Sequence, residues 1–359
     1  MVKIRFLIFQ ALLAGFLPCA AQTRVGVADP HIRFSGRIAM TDSTAELAWS
    51  ATSIVINFNG ERIDAVLKDE RSDNNYNVIV DGKVLNILHP QAAKKTYRLA
   101  DNLKPGKHTL ELFKRTEWAM GKTWFYGFEL GDDEKLLPPP PGKKRKIEFF
   151  GNSITCGYAD EDTTGKDRGT SPYENSYLSY ASITARHFNA ELHNTSKSGI
   201  GITVSWFPLI MSEMYDRLDA TDPDSKWDFS KYTPDLVVIN LFQNDSWIVK
   251  LPNNDQFKAR FGATPPTPEF IINAYQQFVK SVRYKYPKAK IVCILGSMDA
   301  TKAGSPWPGY IDKAVAGLSD KNIYTHFIPY KNTNGHPSAK EQQDMADDLI
   351  AFIEKNISW

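Results

Sequence analysis

The sequence predicts two domains: an all-β sandwich or jelly roll, followed by a three-layer α/β/α domain on a parallel sheet. Three observations carry this. Up to about residue 135, short runs alternate apolar and polar residues, the period of strands with one buried face. Four consecutive prolines then interrupt the chain at "LLPPPPGKKRK". Beyond residue 147, apolar strand runs alternate with helical patterns, which is the grammar of a parallel sheet with crossover helices.

The elements follow in order. Residues 1–21, "MVKIRFLIFQALLAGFLPCAA", place Lys3 and Arg5 before an apolar run and small residues, the pattern of a secretory signal peptide cleaved after Ala21. The apolar run is too short for a comfortable membrane span. Residues 22–135 form the β domain. "IVINF" and "IDAVL" alternate, and Asp81-Gly82 between two strand runs signals a hairpin. Residues 136–146 are a linker, because a run of prolines joins neither a helix nor a central strand. In the second domain, 147–359, strands are expected at 147–150, 191–196, 235–241, 290–296 and 323–328. "DLVVINLF" is nearly all apolar, as a strand buried on both faces requires. Phe270, Ala274, Phe278 and Val282 give one helix an apolar face. Ser338 and Glu341 stand at capping-box spacing, which starts the last helix at Ala339.

Charge and composition exclude several functions. Cleavage of the leader takes two of 43 basic residues and none of the 41 acidic ones, leaving a balanced chain. Nothing in that balance attracts nucleic acid or an anionic membrane. Only Cys156 and Cys293 remain after the leader, so no disulfide framework organises the fold. There is no HExxH, no paired-cysteine site, no EF-hand loop and no P-loop; neither a metal nor a cofactor is expected.

Ligands of open parallel sheets bind outside the carboxyl ends of the strands. Four segments deliver chemistry there: Ser153 after the first strand, Gly199 and Gly201 after the second, Asn244 after the third, and His336 before the last helix. A serine hydroxyl becomes a nucleophile when a base takes its proton, and histidine is the usual base. Acyl transfer then builds charge on a carbonyl oxygen, which fixed N–H donors stabilise. Each residue also has a plain reading: Ser153 as a turn former, His336 as a loop residue beside a cap, Gly199 and Asn244 as turn residues. Asp245 reads as structural. Cys156 is a weaker alternative nucleophile. Trp206, Trp247 and Trp307 are candidate sugar-stacking residues, against the commoner role of tryptophan in a core.

"GNSIT" (151–155), "SGIG" (198–201), "QND" (243–245) and "GHPS" (335–338) resemble the four blocks of the SGNH, or GDSL-like, hydrolase superfamily. With the β domain, "KRTE" (114–117) and "YENSYLSYASITARHF" (173–188), the chain resembles carbohydrate esterase family 2. The resemblance implies a jelly roll before an SGNH domain, and removal of acetyl groups from plant polysaccharides such as xylan, mannan or glucomannan, outside the cytoplasm. It implies Ser153 as nucleophile and His336 as base and acid. It also implies an oxyanion hole from the Ser153 N–H, the Gly199 N–H and the Asn244 side chain. Two positions depart from the superfamily: Phe242 stands where a glycine is usual, and Thr333 where an aspartate precedes the histidine, with Asn334 next. The expectation is therefore a Ser-His dyad, with His336 oriented by a neutral group or a backbone carbonyl. The alternatives are a lipase or aryl esterase of the same superfamily, or a catalytically silent carbohydrate-binding protein.

Overall fold

A computed structural model describes residues 23–131 and 134–359; the expected signal peptide lies outside the described residues. The first domain is two antiparallel sheets face to face. One runs Ile38–Met40, Ala45–Leu47, Thr123–Leu130, Ile63–Asp69, Lys95–Ala100, with Thr23–Val25 also on the central Thr123–Leu130 strand. The other runs Lys135–Leu136, Ser53–Asn59, Lys107–Lys114, Tyr76–Val80, Lys83–Leu88, with Ile32–Ser35 on Ser53–Asn59. Alternate residues of both, among them Ile54, Ile56, Leu67, Leu110, Leu112 and Phe125, close a core between them. The hairpin turn falls at Asp81 and Gly82, both with positive φ (51° and 78°), as a two-residue turn between Val80 and Lys83 requires.

The strand Tyr76–Val80 shows how the domains join. All five residues are buried. Tyr76, Val78 and Val80 face the sandwich core, while Ile79 on the opposite face packs with Phe113 into the core of the second domain. A buried ion pair, Arg37 Nη2 to Glu148 Oε1 at 2.7 Å, crosses the same boundary. The linker is also laid down on the sandwich: Leu137 N–H donates to Asn57 O, and Asn57 Nδ2 donates to Pro138 O.

The second domain holds a five-stranded parallel sheet in the order Ala190–Ser196, Arg145–Gly151, Leu236–Asn240, Lys290–Leu295, Ile323–Phe327. These strands agree with the expected segments to within two residues. Val237 and Ile239 face one layer, made by the helices Pro268–Lys285 and Trp307–Ala316; Leu236 and Val238 face the other, made by Tyr180–His187 and Ala339–Asn356. The last helix starts at Ala339 behind the Ser338/Glu341 capping box, as expected. The face of Pro268–Lys285 is turned from the expected one. Ile271, Tyr275, Phe278, Val279 and Val282 are buried and Phe270 is 50% exposed, because the i, i+4, i+7, i+11 row through Ile271 points at the sheet.

Candidate active site

The register of the sheet brings the site together. Gly151 lies opposite Ser196 on one neighbouring strand and Asn240 on the other. The residues that follow each strand therefore emerge side by side at the carboxyl edge. After Gly151 the chain turns at once. Asn152 caps the one-turn helix Ser153–Cys156, its side chain accepting from Ile154 N–H at 3.1 Å. Thr155 folds back so closely that a Cβ at Gly151 would lie 2.0 Å from its Oγ1. This close return is the local reason for glycine in "GNSIT". It leaves Ser153 at the first helical position, where a backbone N–H has no intrahelical acceptor.

Ser153 Oγ lies 2.8 Å from His336 Nε2. On the far side of the ring, His336 Nδ1 is 2.9 Å from both carboxylate oxygens of Asp167, and the His336 backbone N–H donates to Asp167 Oδ1 at 2.8 Å. A carboxylate accepts only, so Nδ1 carries the proton and Nε2 faces the serine as an acceptor. Burial pushes the Asp167 carboxyl upward, but the hydrogen bonds and charge interaction with His336 outweigh it and hold it below its usual value. The expected neutral orienting group is thus corrected. A carboxylate is present, supplied by the loop after the serine turn instead of by position 333. Thr333 Oγ1 turns the other way, to Glu341.

The sequence held indirect traces of Asp167. Gly335 has φ +72°, and a Cβ there would stand 3.1 Å from the Asp167 carboxylate. Gly169 has no room for a Cβ beside the Tyr158 ring, which in turn packs on His336 at 4.4 Å between centroids. Asp162 accepts from Arg168 N, Nε and Nη2, each at 2.9 Å, closing the loop on which Asp167 stands.

The loop that carries Gly199 is held firmly. Gly199 has φ +81°, in the left-handed region that favours glycine. Asn244 Nδ2 donates to Ile200 O at 2.8 Å, and Asn244 Oδ1 accepts from Trp206 Nε1 at 3.0 Å. The indole donor fixes which end of the amide is oxygen, and one Nδ2 hydrogen remains for another acceptor. Asp245 is fully buried and accepts from Ile202, Thr203 and Val204 N–H and from Thr203 Oγ1, the structural role expected of it. Phe242 adopts φ +87°, in the left-handed region that favours glycine, while its ring packs on Tyr275 and Trp307 in the core. A bulky residue in that region costs of order 1–3 kcal/mol.

The other candidates separate. Trp206 is 44% exposed beside Gly199. Trp247 is half-buried, its Nε1 donating to Asp299. Trp307 is corrected: it is 3% exposed, between Phe242 and Tyr310, and fills the core without reaching a surface where a sugar could stack. Cys156 is fully buried, and burial with the nearby Glu117 carboxylate drives its thiol far above the ordinary value, which removes it as a nucleophile.

A parallel sheet presenting a serine turn, a histidine with a carboxylate behind it, and a fixed glycine–asparagine loop is the frame of an α/β/α ester hydrolase. The chain belongs to the GDSL-like lipase/acylhydrolase family, whose model matches residues 149–349, and residues 34–140 match the carbohydrate esterase 2 N-terminal domain. The chain is 35% identical over 347 residues to the cellulase/esterase CelE of Acetivibrio thermocellus, covering 92% of this chain and 40% of that protein. It thus spans less than half the length of that relative. An acetylxylan esterase/glucomannan deacetylase of Cellvibrio japonicus is 24% identical, over 93% of this chain and 91% of the relative. A solved family two carbohydrate esterase from Clostridium thermocellum, in complex with cellohexaose, is 34% identical with a TM-score of 0.79, over 90% of this chain and 98% of that one. Among the described residues, no helix is long and apolar enough to cross a membrane.

Proposed function

We propose that this chain is a secreted serine esterase that removes O-acetyl groups from plant polysaccharides of the xylan, mannan or glucomannan type. One observation carries the mechanism: Ser153 Oγ at 2.8 Å from a His336 whose other nitrogen is held by Asp167. Ser153 Oγ attacks the acetyl carbonyl carbon while His336 Nε2 takes its proton. The carbonyl oxygen becomes an oxyanion facing the N–H groups of Ser153 and Gly199 and the remaining Nδ2 hydrogen of Asn244. Collapse breaks the bond to the sugar oxygen, which leaves with the proton from His336, and Ser153 carries the acetyl group. Water then attacks that ester, losing a proton to His336 and returning Ser153 and acetate. Asp167 keeps Nδ1 protonated and stabilises the imidazolium formed in both steps. The polysaccharide assignment is supported by the substrates in the relatives' names. Secretion is supported by the leader at residues 1–21. Trp206 and Trp247 offer partly exposed rings for the sugar faces.

Acetate release from acetylated xylan and glucomannan tests the reading. The parent releases acetate, and Ser153→Ala lowers the rate by roughly 10⁴-fold or more without loss of folded protein. Undiminished release by Ser153→Ala would overturn the nucleophile. No release by the parent from either glycan or from a simple acetyl ester would overturn the activity.

A further inference from the structure

Four consecutive polar residues of the sandwich domain, Lys114, Arg115, Thr116 and Glu117, are all buried, at 0–3% exposure. Burying such groups is costly unless each finds a partner, so the partners show what the segment is for. Lys114 Nζ donates to the carbonyls of Thr116 and Glu117, and Thr116 Oγ1 donates to Asn74 Oδ1; these two stiffen the segment itself. Arg115 and Glu117 cross into the second domain. Arg115 reaches the Glu161 carboxylate and the Glu174 carbonyl, at the two ends of the loop that carries Asp167. Glu117 Oε2 accepts from the backbone N–H of Ser198 at 2.9 Å. The next residue, Trp118, lays its ring 3.6 Å from Lys197 Nζ, with the Phe207 ring at 3.7 Å from the same ammonium. The sandwich domain thus grips Lys197 and Ser198, the two residues immediately before Gly199.

We infer that Glu117 is a positioning residue of the esterase site: a carboxylate from the sandwich domain that aims the Gly199 N–H. The inference rests on the esterase reading above. The Ser198–Gly199 peptide lies in a turn that Ile200 N–H closes on Lys197 O at 3.3 Å, and Trp206 N–H bonds Gly199 O at 3.1 Å; within these restraints a glycine still leaves the peptide plane more orientations than another residue would. Downstream it is pinned within its own domain, by Asn244 on Ile200 O, by Ser205 Oγ on Gly201 N–H, and by Asp245 on Ile202 N–H. Upstream the side-chain acceptor on its backbone is Glu117. A charge-assisted bond to Ser198 N–H fixes the preceding peptide plane, and so limits the rotation that would swing the Gly199 N–H away. The sandwich is on this view part of the catalytic apparatus, and not merely a wall of the cleft.

The test pairs two substitutions in the full chain, read as kcat and KM on an acetyl ester beside the melting temperature, with Ser153→Ala as control. Glu117→Asp keeps the charge and shortens the reach. It should lower kcat roughly 10²-fold, the scale of one lost oxyanion donor, with KM within about threefold. Glu117→Gln keeps an acceptor oxygen at the same reach and should recover kcat to within about tenfold of the parent. Should Glu117→Asp fail to fold, Lys197→Met removes the gripped ammonium but keeps its apolar stem, and should lower kcat about tenfold at constant KM. Parental kcat in folded Glu117→Asp or Lys197→Met would make the segment a domain tether only and overturn the inference. So would equal losses in Glu117→Asp and Glu117→Gln, which would show that an acceptor oxygen at the parental reach does not restore the aim. In both cases an active parent and an inactive Ser153→Ala leave the esterase reading standing. A parent without esterase activity overturns both.

Discussion

Between Gly199 and Ser205 the loop hangs on the fully buried Asp245, whereas between Ala159 and Thr170 the loop that carries Asp167 is tied near its start by Arg115 and Ala339 and is closed on itself by Asp162 and Arg168. Asp245, fully buried, takes three backbone N–H groups of the first loop. The second loop is closed by Asp162 and Arg168, and much of it faces solvent. On the function proposed above, the difference follows from what each loop supplies. Oxyanion donors work by being fixed before charge develops. The carboxylate behind the histidine needs only to hold a ring that Ser153 and Tyr158 already flank.

That contrast can be broken by substitution. The largest expected effect is Asp245→Ala. It strands three buried N–H groups at about 1–3 kcal/mol each, so a loss of roughly 3–9 kcal/mol in urea unfolding should accompany loss of activity. Asp167→Asn should separate the two properties, with kcat falling roughly 10²–10⁴-fold and the urea midpoint almost unmoved. If Asp167→Asn instead destabilised the protein as much as Asp245→Ala, the two loops would not differ as described. Trp206→Phe keeps a ring beside Gly199 but removes the donor to Asn244 Oδ1. One neutral hydrogen bond at about 0.5–1.5 kcal/mol predicts a loss of roughly 2–10-fold in kcat on a simple acetyl ester, where sugar stacking plays no part.

A dependence on pH sharpens the comparison at the domain boundary. Burial, and then the neighbouring Glu117 carboxylate, push the Glu174 carboxyl up to about 8 from 4.5. The folded protein therefore holds a proton between those values that the unfolded chain releases. This contribution to stability is complete below about pH 4.5 and is lost as pH rises to about 8. Lys114, lowered to about 8 by burial, acts in the opposite sense and only above that pH. Urea midpoints measured from pH 5 to 8 should fall more steeply in the parent than in Glu174→Gln. Equal slopes would remove Glu174 as the cause.

How much was legible in the sequence depended on the range of the interaction. The parallel strands were readable because Leu236–Asn240 is buried on both faces and is written in apolar residues throughout. Ser153, Gly199, Asn244 and His336 were readable because each stands in a turn that its own neighbours dictate. The helix Pro268–Lys285 was placed but its face was misjudged, since Phe270 and Ile271 are equally apolar and only the packed sheet distinguishes them. Trp307 stands in the Pro-rich "SPWPGY", which makes it a stacking candidate in sequence, but burial against Phe242 gives it the commoner core role.

The amino-acid sequence by itself determined the two kinds of domain, the places of the parallel strands along the chain and the four segments that meet at the carboxyl edge of their sheet. Periodicity, turn chemistry and caps are local, and a chain displays them before it folds. Tertiary structure alone decided what stands behind those segments. Asp167 meets His336 across 169 residues, and Glu117 meets Ser198 across 81. A carboxylate that finds its partner at such a distance obeys no local period, so only the packing of one domain on the other, and of a loop on the sheet edge, turns it from a surface charge into part of the site.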